Sequence, residues 1–271
     1  MIVLGIDTSG YTNVVGVTEN GRVLADNRFP ARTDTLEQIV DNIDVTLKEA
    51  GVSLKDVDGI GVGLGPGSWT GIKVGVTVGK MLAFSAGKPV AGIPTLEALA
   101  YGAEDKSIPV YAVISAGVKD MIYAARYVFK ENEPLRDGEY YAGDVGGLST
   151  IIEEPIVLCG QNAGYYRDVI LSKNEPVGDK PEAKNVQSRQ NNLHNVKYNL
   201  KNEPAGMGET RGFSKFSIKA LENEPAGSWV GALAFMRFTR GEKDDPLALT
   251  PLYLKESTAK VFINRYQTKS A

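Results

Sequence analysis

The chain has one cysteine, Cys159, and one histidine, His194, among its 271 residues. A lone cysteine excludes an internal disulfide and any multi-cysteine zinc site, and the expectation for it is a small buried residue at a strand end. A lone histidine excludes a His-rich metal centre, and a histidine general base must be His194 or nothing. That residue lies in the polar, Asn-rich NVQSRQNNLHNVKYN and reads as a solvated loop position. An excess of one sign of charge is lacking too: 30 Lys and Arg stand against 33 Asp and Glu, a formal net charge of -3, so no global attraction to nucleic acid is expected. The N-terminal MIVLGIDTSG lacks a basic leader, and Asp7 interrupts its apolar run too early for a signal peptide or a membrane span. The expectation is a cytoplasmic protein without a metal.

With 42% apolar residues the chain can bury a core, and its length suits one large domain or two small ones. IVLGI (2 to 6) is a continuous apolar run, as in a central strand, followed by NVVGV (13 to 17) and RVLADN (22 to 27) across the hairpin signal Glu19-Asn20-Gly21. Leu36, Ile39, Val40, Ile43, Leu47 and Ala50 recur at helical spacing up to Gly51. DGIGVGL (58 to 64) reads as a buried strand, the glycine-rich stretch after it as turn plus helix, PVAGI (89 to 93) as a strand and TLEALAYG as a helix.

The second half repeats the order βββαβαβα. IPVYAVISA (108 to 116), DMIYAARYVFK (120 to 130) and EYYAGDV (139 to 145) predict three strands. A short helix at Leu148 to Ile152, the strand PIVLCG and the helix NAGYYRDVIL follow. Two α/β lobes are expected, residues 1–104 and 105–271, the second carrying a polar insertion at about 172–227 in which Asn-Glu-Pro occurs three times after a copy at 132 to 134. SWVGALAFMRFTRG (228 to 241) predicts a closing helix.

The stretch GLGPGSWTGIKVGVTVGKMLAFSAG, 63 to 87, carries two kinds of glycine. Gly63, Gly65 and Gly67 form a strand-to-helix loop of the kind that can face a phosphate, yet they match no nucleotide fingerprint. Ser68 reads as the N-cap of the helix rather than as a nucleophile. Gly71, Gly75, Gly79 and Ala83 recur every four residues along one helix face, and each interior glycine costs about 1 kcal/mol relative to alanine. They lie beyond the first turn, where no free N–H remains, so close packing is the reason for them. Whether a neighbouring helix or a second protein makes that approach, the pattern leaves open.

Four stretches, VLGIDTS (3 to 9), GPGSWTGIKVGVTVGKMLA (65 to 83), GIPTLEALA (92 to 100) and DDPLALTPLYLK (244 to 255), resemble the TsaB (YeaZ) family, the non-catalytic partner in bacterial threonylcarbamoyl-adenosine tRNA modification. The resemblance implies a duplicated actin-like ATPase (ASKHA, ribonuclease H-like) fold. It implies that Leu36, Ile39, Val40, Ile43 and Leu47 of the first helix, with Gly71, Ile72, Gly75, Val76, Gly79 and Ala83 of the second, pair with a TsaD-type catalytic subunit or with a second copy of the chain. A TsaE-type ATPase is the further partner implied, and tRNA is met only through the complex. No catalytic residue and no required cofactor are implied for this chain. ATP or ADP with Mg, bound weakly at Asp7, Thr8, Ser9, Gly65 and Gly67, is the ligand that the first turn would take. Trp69 stands where the family has Phe, and ISAGVKDMIY (114 to 123) lacks the family's Asp-Ala-Arg. The competing reading is an actin-like-fold ATPase or kinase built on Asp7. An M22-type peptidase lacks both a metal site and an activated nucleophile here.

Overall fold

The computed structural model describes residues 1–31, 35–173 and 217–254, with side chains for all of these except 35–37. His194 and the Asn-Glu-Pro copies at 174 to 176 and 202 to 204 lie outside the described residues.

Two sheets carry the fold. The first contains β1 (Ile2–Asp7), β2 (Thr12–Glu19), β3 (Arg22–Pro30), β4 (Gly59–Gly63) and β5 (Val90–Ile93), in the order β3-β2-β1-β4-β5. Its first three strands form an antiparallel meander because Asn20 and Gly21 accept the positive φ of a tight hairpin turn. β4 and β5 join in parallel, after the crossover helices α1 (Thr35–Glu49) and α2 (Trp69–Ala86). The second sheet has the same plan: β6 (Val110–Ser115), β7 (Met121–Lys130), β8 (Glu133–Arg136), β9 (Tyr141–Asp144), β10 (Ile156–Cys159) and β11 (Ile218–Leu221), in the order β11-β10-β6-β7-β8 with β9 also on β7. This is the duplicated α/β, actin-like architecture expected from the sequence.

Three details differ from expectation. The third strand of the second meander is broken: β8 pairs with one end of β7 and β9 with the other, the chain turning away between them at Gly138, whose φ is 93°. The helix expected at 148 to 152 is a 3₁₀ helix at Val145–Thr150, started earlier because the Asp144 carboxylate accepts from Gly146 N at 2.9 Å. The polar insertion ends sooner than 227, since Ile218–Leu221 forms the sheet edge, parallel to β10.

α3 (Thr95–Tyr101) follows β5 but packs on β6 and β7 of the second sheet. α5 (Gly227–Thr239) follows β11 but packs on β1, β2 and β4 of the first. The strands divide near residue 104, while the helices that close the two halves are exchanged across the boundary. The exchange has sequence causes. Gly5 and Gly16 let the α5 backbone touch the sheet, for a Cβ on Gly5 would stand 2.1 Å from Gly227 O and one on Gly16 2.2 Å from Ser228 N. Asp26 of β3 then accepts from Ser228 N at 2.9 Å, capping α5 from outside the helix. α4 (Ala163–Ser172) and the 3₁₀ helix cover the outer face of the second sheet, as α1 and α2 cover that of the first.

Candidate functional site

The turn after β1 is built from Asp7, Thr8 and Ser9, buried to 1, 1 and 3% exposure. Asp7 Oδ1 accepts from Ser9 N at 2.7 Å, and its Oδ2 accepts from Thr95 Oγ1 at 2.6 Å. Thr95 Oγ1 also accepts from Gly65 N at 3.1 Å and lies 2.9 Å from Ser9 Oγ. Its one proton goes to Asp7, so the Ser9 hydroxyl is the donor in that last pair. Thr8 Oγ1 donates to Gly71 O at 2.6 Å, and Ser9 O accepts from Ser68 N at 2.7 Å. Burial raises the Asp7 pKa, with the bonds from Thr95 and Ser9 opposing.

The loop glycines are part of this network. A Cβ on Gly63 would stand 2.2 Å from Asp7 Cγ, and one on Gly67 2.2 Å from Ser9 O. The absent side chains are therefore filled by the first turn itself. Thr95 is the member that sequence reasoning missed: it stood in TLEALA as a helix-start residue, and its partner Asp7 is 88 positions away.

The glycine-ridged helix α2 is capped as expected, Ser68 Oγ accepting from Gly71 N at 3.3 Å. The ridge faces inward, which corrects its assignment to a partner surface. A Cβ on Gly71 would stand 1.9 Å from Thr8 O, one on Gly75 2.4 Å from Thr8 Oγ1 and one on Gly79 2.3 Å from Val62 Cγ2. Gly71, Ile72, Gly75, Val76, Gly79 and Ala83 are all buried, and Ile39, Ile43 and Leu47 of α1 join the same core. The helix needs its glycines to lie against β1 and β4 of its own sheet. Of the residues expected on the docking face and described in full, Val40 alone is exposed, at 58%. The side chain of Leu36 lies outside the described residues.

The outward face of the two helices is apolar for a different set of residues. Met81 and Phe84 of α2, three residues apart and so on one side of the helix, are 60 and 62% exposed, and Val40 and Val45 of α1 are exposed as well. At the N-terminal end of α2, Trp69 stacks on Tyr253 with ring centroids 4.1 Å apart, and Lys73 Nζ lies 4.4 Å over the Trp69 ring. The segment leading to Tyr253 runs along α2, where Lys80 Nζ donates to Leu247 O and Leu249 O and Leu252 N donates to Leu64 O. Helical spacing could have found Met81 and Phe84 only once the buried side was known.

Among the described residues no cluster of His, Cys, Asp or Glu is placed to hold a metal ion. Cys159 is fully buried, its thiol pushed well up by desolvation. No described helix is long and apolar enough to cross a membrane.

Comparison with known proteins gives consistent relatives. A family model described as TsaD, tRNA N6-adenosine threonylcarbamoyltransferase, matches residues 31–137. The tRNA threonylcarbamoyladenosine biosynthesis protein TsaB of Escherichia coli strain K12 is 34% identical over 134 residues, 49% of this chain and 57% of that protein. TsaB of Haemophilus influenzae is 32% identical over 143 residues, 52% of this chain and 59% of that protein. The matched part thus spans less than two thirds of either relative. The solved structure of YeaZ from Pseudomonas aeruginosa aligns with a TM-score of 0.63 at 22% identity, over 93% of this chain and 99% of that one, a likeness of fold.

Proposed function

We propose that the chain is a member of the TsaB (YeaZ) family that it is similar to, and that it is a non-catalytic scaffold that activates a TsaD-type enzyme forming N6-threonylcarbamoyladenosine beside the tRNA anticodon. The observation that carries the reading is the outward face of α2. Met81 and Phe84, three residues apart and so on one side of a helix whose other side is packed on its sheet, are exposed apolar side chains, and exposed apolar surface of that kind marks protein partners. The Asp7 turn supports the non-catalytic part, since its carboxylate is closed into bonds with Ser9 and Thr95. In this reading the turn has a structural role, docking β1 onto α2. A TsaE-type ATPase and tRNA join through the assembly, and in isolation the same face pairs two copies of the chain.

Gly75→Leu cannot test this, because the new side chain would meet Thr8 inside the molecule. Met81→Asp and Phe84→Asp can, since both side chains are exposed. Each is expected to leave the melting temperature unchanged and to weaken co-elution with the TsaD-type subunit by at least about tenfold, the loss of a buried apolar anchor. Unchanged co-elution for both variants by gel filtration would sink the proposal.

A further inference from the structure

The outer face of the second sheet holds a cavity of about 330 Å³, at the end where β10 begins and far in sequence from α2. The register of β6 on β7 sets Tyr111 directly opposite Arg126, so both side chains leave the same face of the sheet. Tyr111 packs with Ile152 and Ile156 in the core beneath the 3₁₀ helix. Arg126 stands at the rim and is held from two sides, by Asp137 just after β8 and by Glu154 just before β10. Its charge is thereby spent on tying two loops together.

Two polar groups of the cavity have no such partner. Glu153 is exposed beside Glu154 at the rim and makes no hydrogen bond or ion pair among the described residues. Tyr111 is only 7% exposed, and its hydroxyl makes no hydrogen bond to a described residue either: it is the polar end that an otherwise buried side chain turns to the cavity. A hydroxyl left that way costs free energy, which a group entering the cavity recovers. Burial raises the Tyr111 pKa, so the phenol keeps its proton and can donate and accept at once.

Charge selects the ligand. One guanidinium faces the carboxylates of Asp137, Glu153 and Glu154 and is already matched by two of them, so an anion finds no free cation here. A cation finds the Glu153 carboxylate and the phenol oxygen. The carboxylates do not converge closely enough to hold a metal ion, and Ile151, 47% exposed at the same rim, offers an apolar rest for a carbon chain. We propose that this cavity binds a primary alkylammonium group, its nitrogen between Glu153 and the Tyr111 hydroxyl and its stem along Ile151. A free aliphatic amine and a lysine side chain of another protein carry that same chemistry.

The probes are 1,5-diaminopentane for the free amine and Nα-acetyl-lysine methylamide for the side chain, titrated into the full chain at low salt and followed by the methyl NMR signals of Ile151 and Ile152. Saturable shifts are expected, and the tighter probe identifies the source; pentanoate, of the opposite charge, should leave the signals where they are. Glu153→Gln alters an exposed side chain and Tyr111→Phe keeps the ring, so both variants should fold. Each is expected to weaken binding about fivefold or more, the loss of one hydrogen bond to a charged group. Asp44→Asn on α1, an equal change of net charge in the other half, should leave the affinity unaltered. No saturable shift with either probe, an unchanged affinity in Glu153→Gln or Tyr111→Phe, or an equal loss in Asp44→Asn overturns the proposal.

Discussion

The two sheets share one plan, and the turns that follow their first strands occupy equivalent places, yet one is sealed and the other is open. Asp7 ends β1 and Ser115 ends β6, each the sixth residue of its strand. Around Asp7 the chain packs Thr95, Ser9 and the side-chain-free Gly63 and Gly67 so closely that hardly any surface remains. Around Ser115 the turn runs through Gly117 and Asp120, both at positive φ, and is open enough that Tyr165, 48% exposed, reaches Asp120 with its hydroxyl. The helices behind the turns differ in the same sense. α2 brings three glycines against β1 and β4, whereas α4 buries Ala163, Tyr166 and Ile170 and stands off its sheet by the size of those side chains. The duplication preserved the topology, and the first half turned its hairpin into a joint for α2. That joint fixes the helix whose outward side carries Met81 and Phe84.

The strongest way to break the comparison is Asp7→Ala. It leaves the Ser9 amide and the Thr95 hydroxyl without their acceptor in a site closed to water, and each buried unsatisfied donor costs about 1–3 kcal/mol. A loss of roughly 3 kcal/mol in urea unfolding is expected. Partner binding should fall with it, because α2 is docked on this turn. A variant that unfolds like the unaltered chain would show that the turn can relax, and the contrast between the halves would lose its energetic content.

Gly71→Ala comes next. Its Cβ would stand 1.9 Å from the Thr8 carbonyl oxygen, a backbone atom, so the helix or β1 must move. Overpacking of that kind costs about 1–3 kcal/mol, against about 1 kcal/mol gained from better helix propensity, so a net loss of up to about 2 kcal/mol is expected from the same unfolding curves. Any stabilisation would mean that the glycine is there for some reason other than close approach.

What the sequence disclosed, and what it hid, follows the same line between local and distant causes. The strands and helices of the first half were legible because Ile39, Ile43 and Leu47 repeat at helical spacing and the hairpin residues Asn20 and Gly21 stand next to each other. The ridge Gly71, Gly75, Gly79 disclosed that something comes close but not what, since Thr8 and Val62 are distant in sequence. The pattern on α2 therefore marked a close approach, and the approach is that of its own sheet. Asp7 was singled out as a phosphate neighbour, and its bond with Thr95 was not legible because that residue lies 88 positions on. The exchange of α3 and α5 left no local mark beyond Gly5, Gly16 and Gly227, which read alone as ordinary strand and helix-start glycines. β11 was concealed because a four-residue edge strand with a single buried residue, Ile218, has too little periodicity to stand out from polar sequence.

The smallest effect gives the sharpest control. Ser115→Ala alters the position that matches Asp7, and there the side chain accepts from Gly117 N at 3.1 Å in a turn that water reaches. An amide exposed to solvent replaces a lost acceptor with water, so the cost is the net value of one hydrogen bond, about 0.5–1 kcal/mol, without the desolvation penalty expected for Asp7. Ser115 also serves the Tyr166 hydroxyl, and since Tyr166 packs against Ala163 and Ile170 the ring keeps its place when the bond is gone. The expected result is a shift in the urea midpoint no more than about a third of that for Asp7→Ala, with no change in co-elution with the TsaD-type subunit. Equal losses at the two positions would mean that the second turn bears as much load as the first. The sealed network around Asp7 would then be a property of both halves, and its special link to α2 would have to be abandoned.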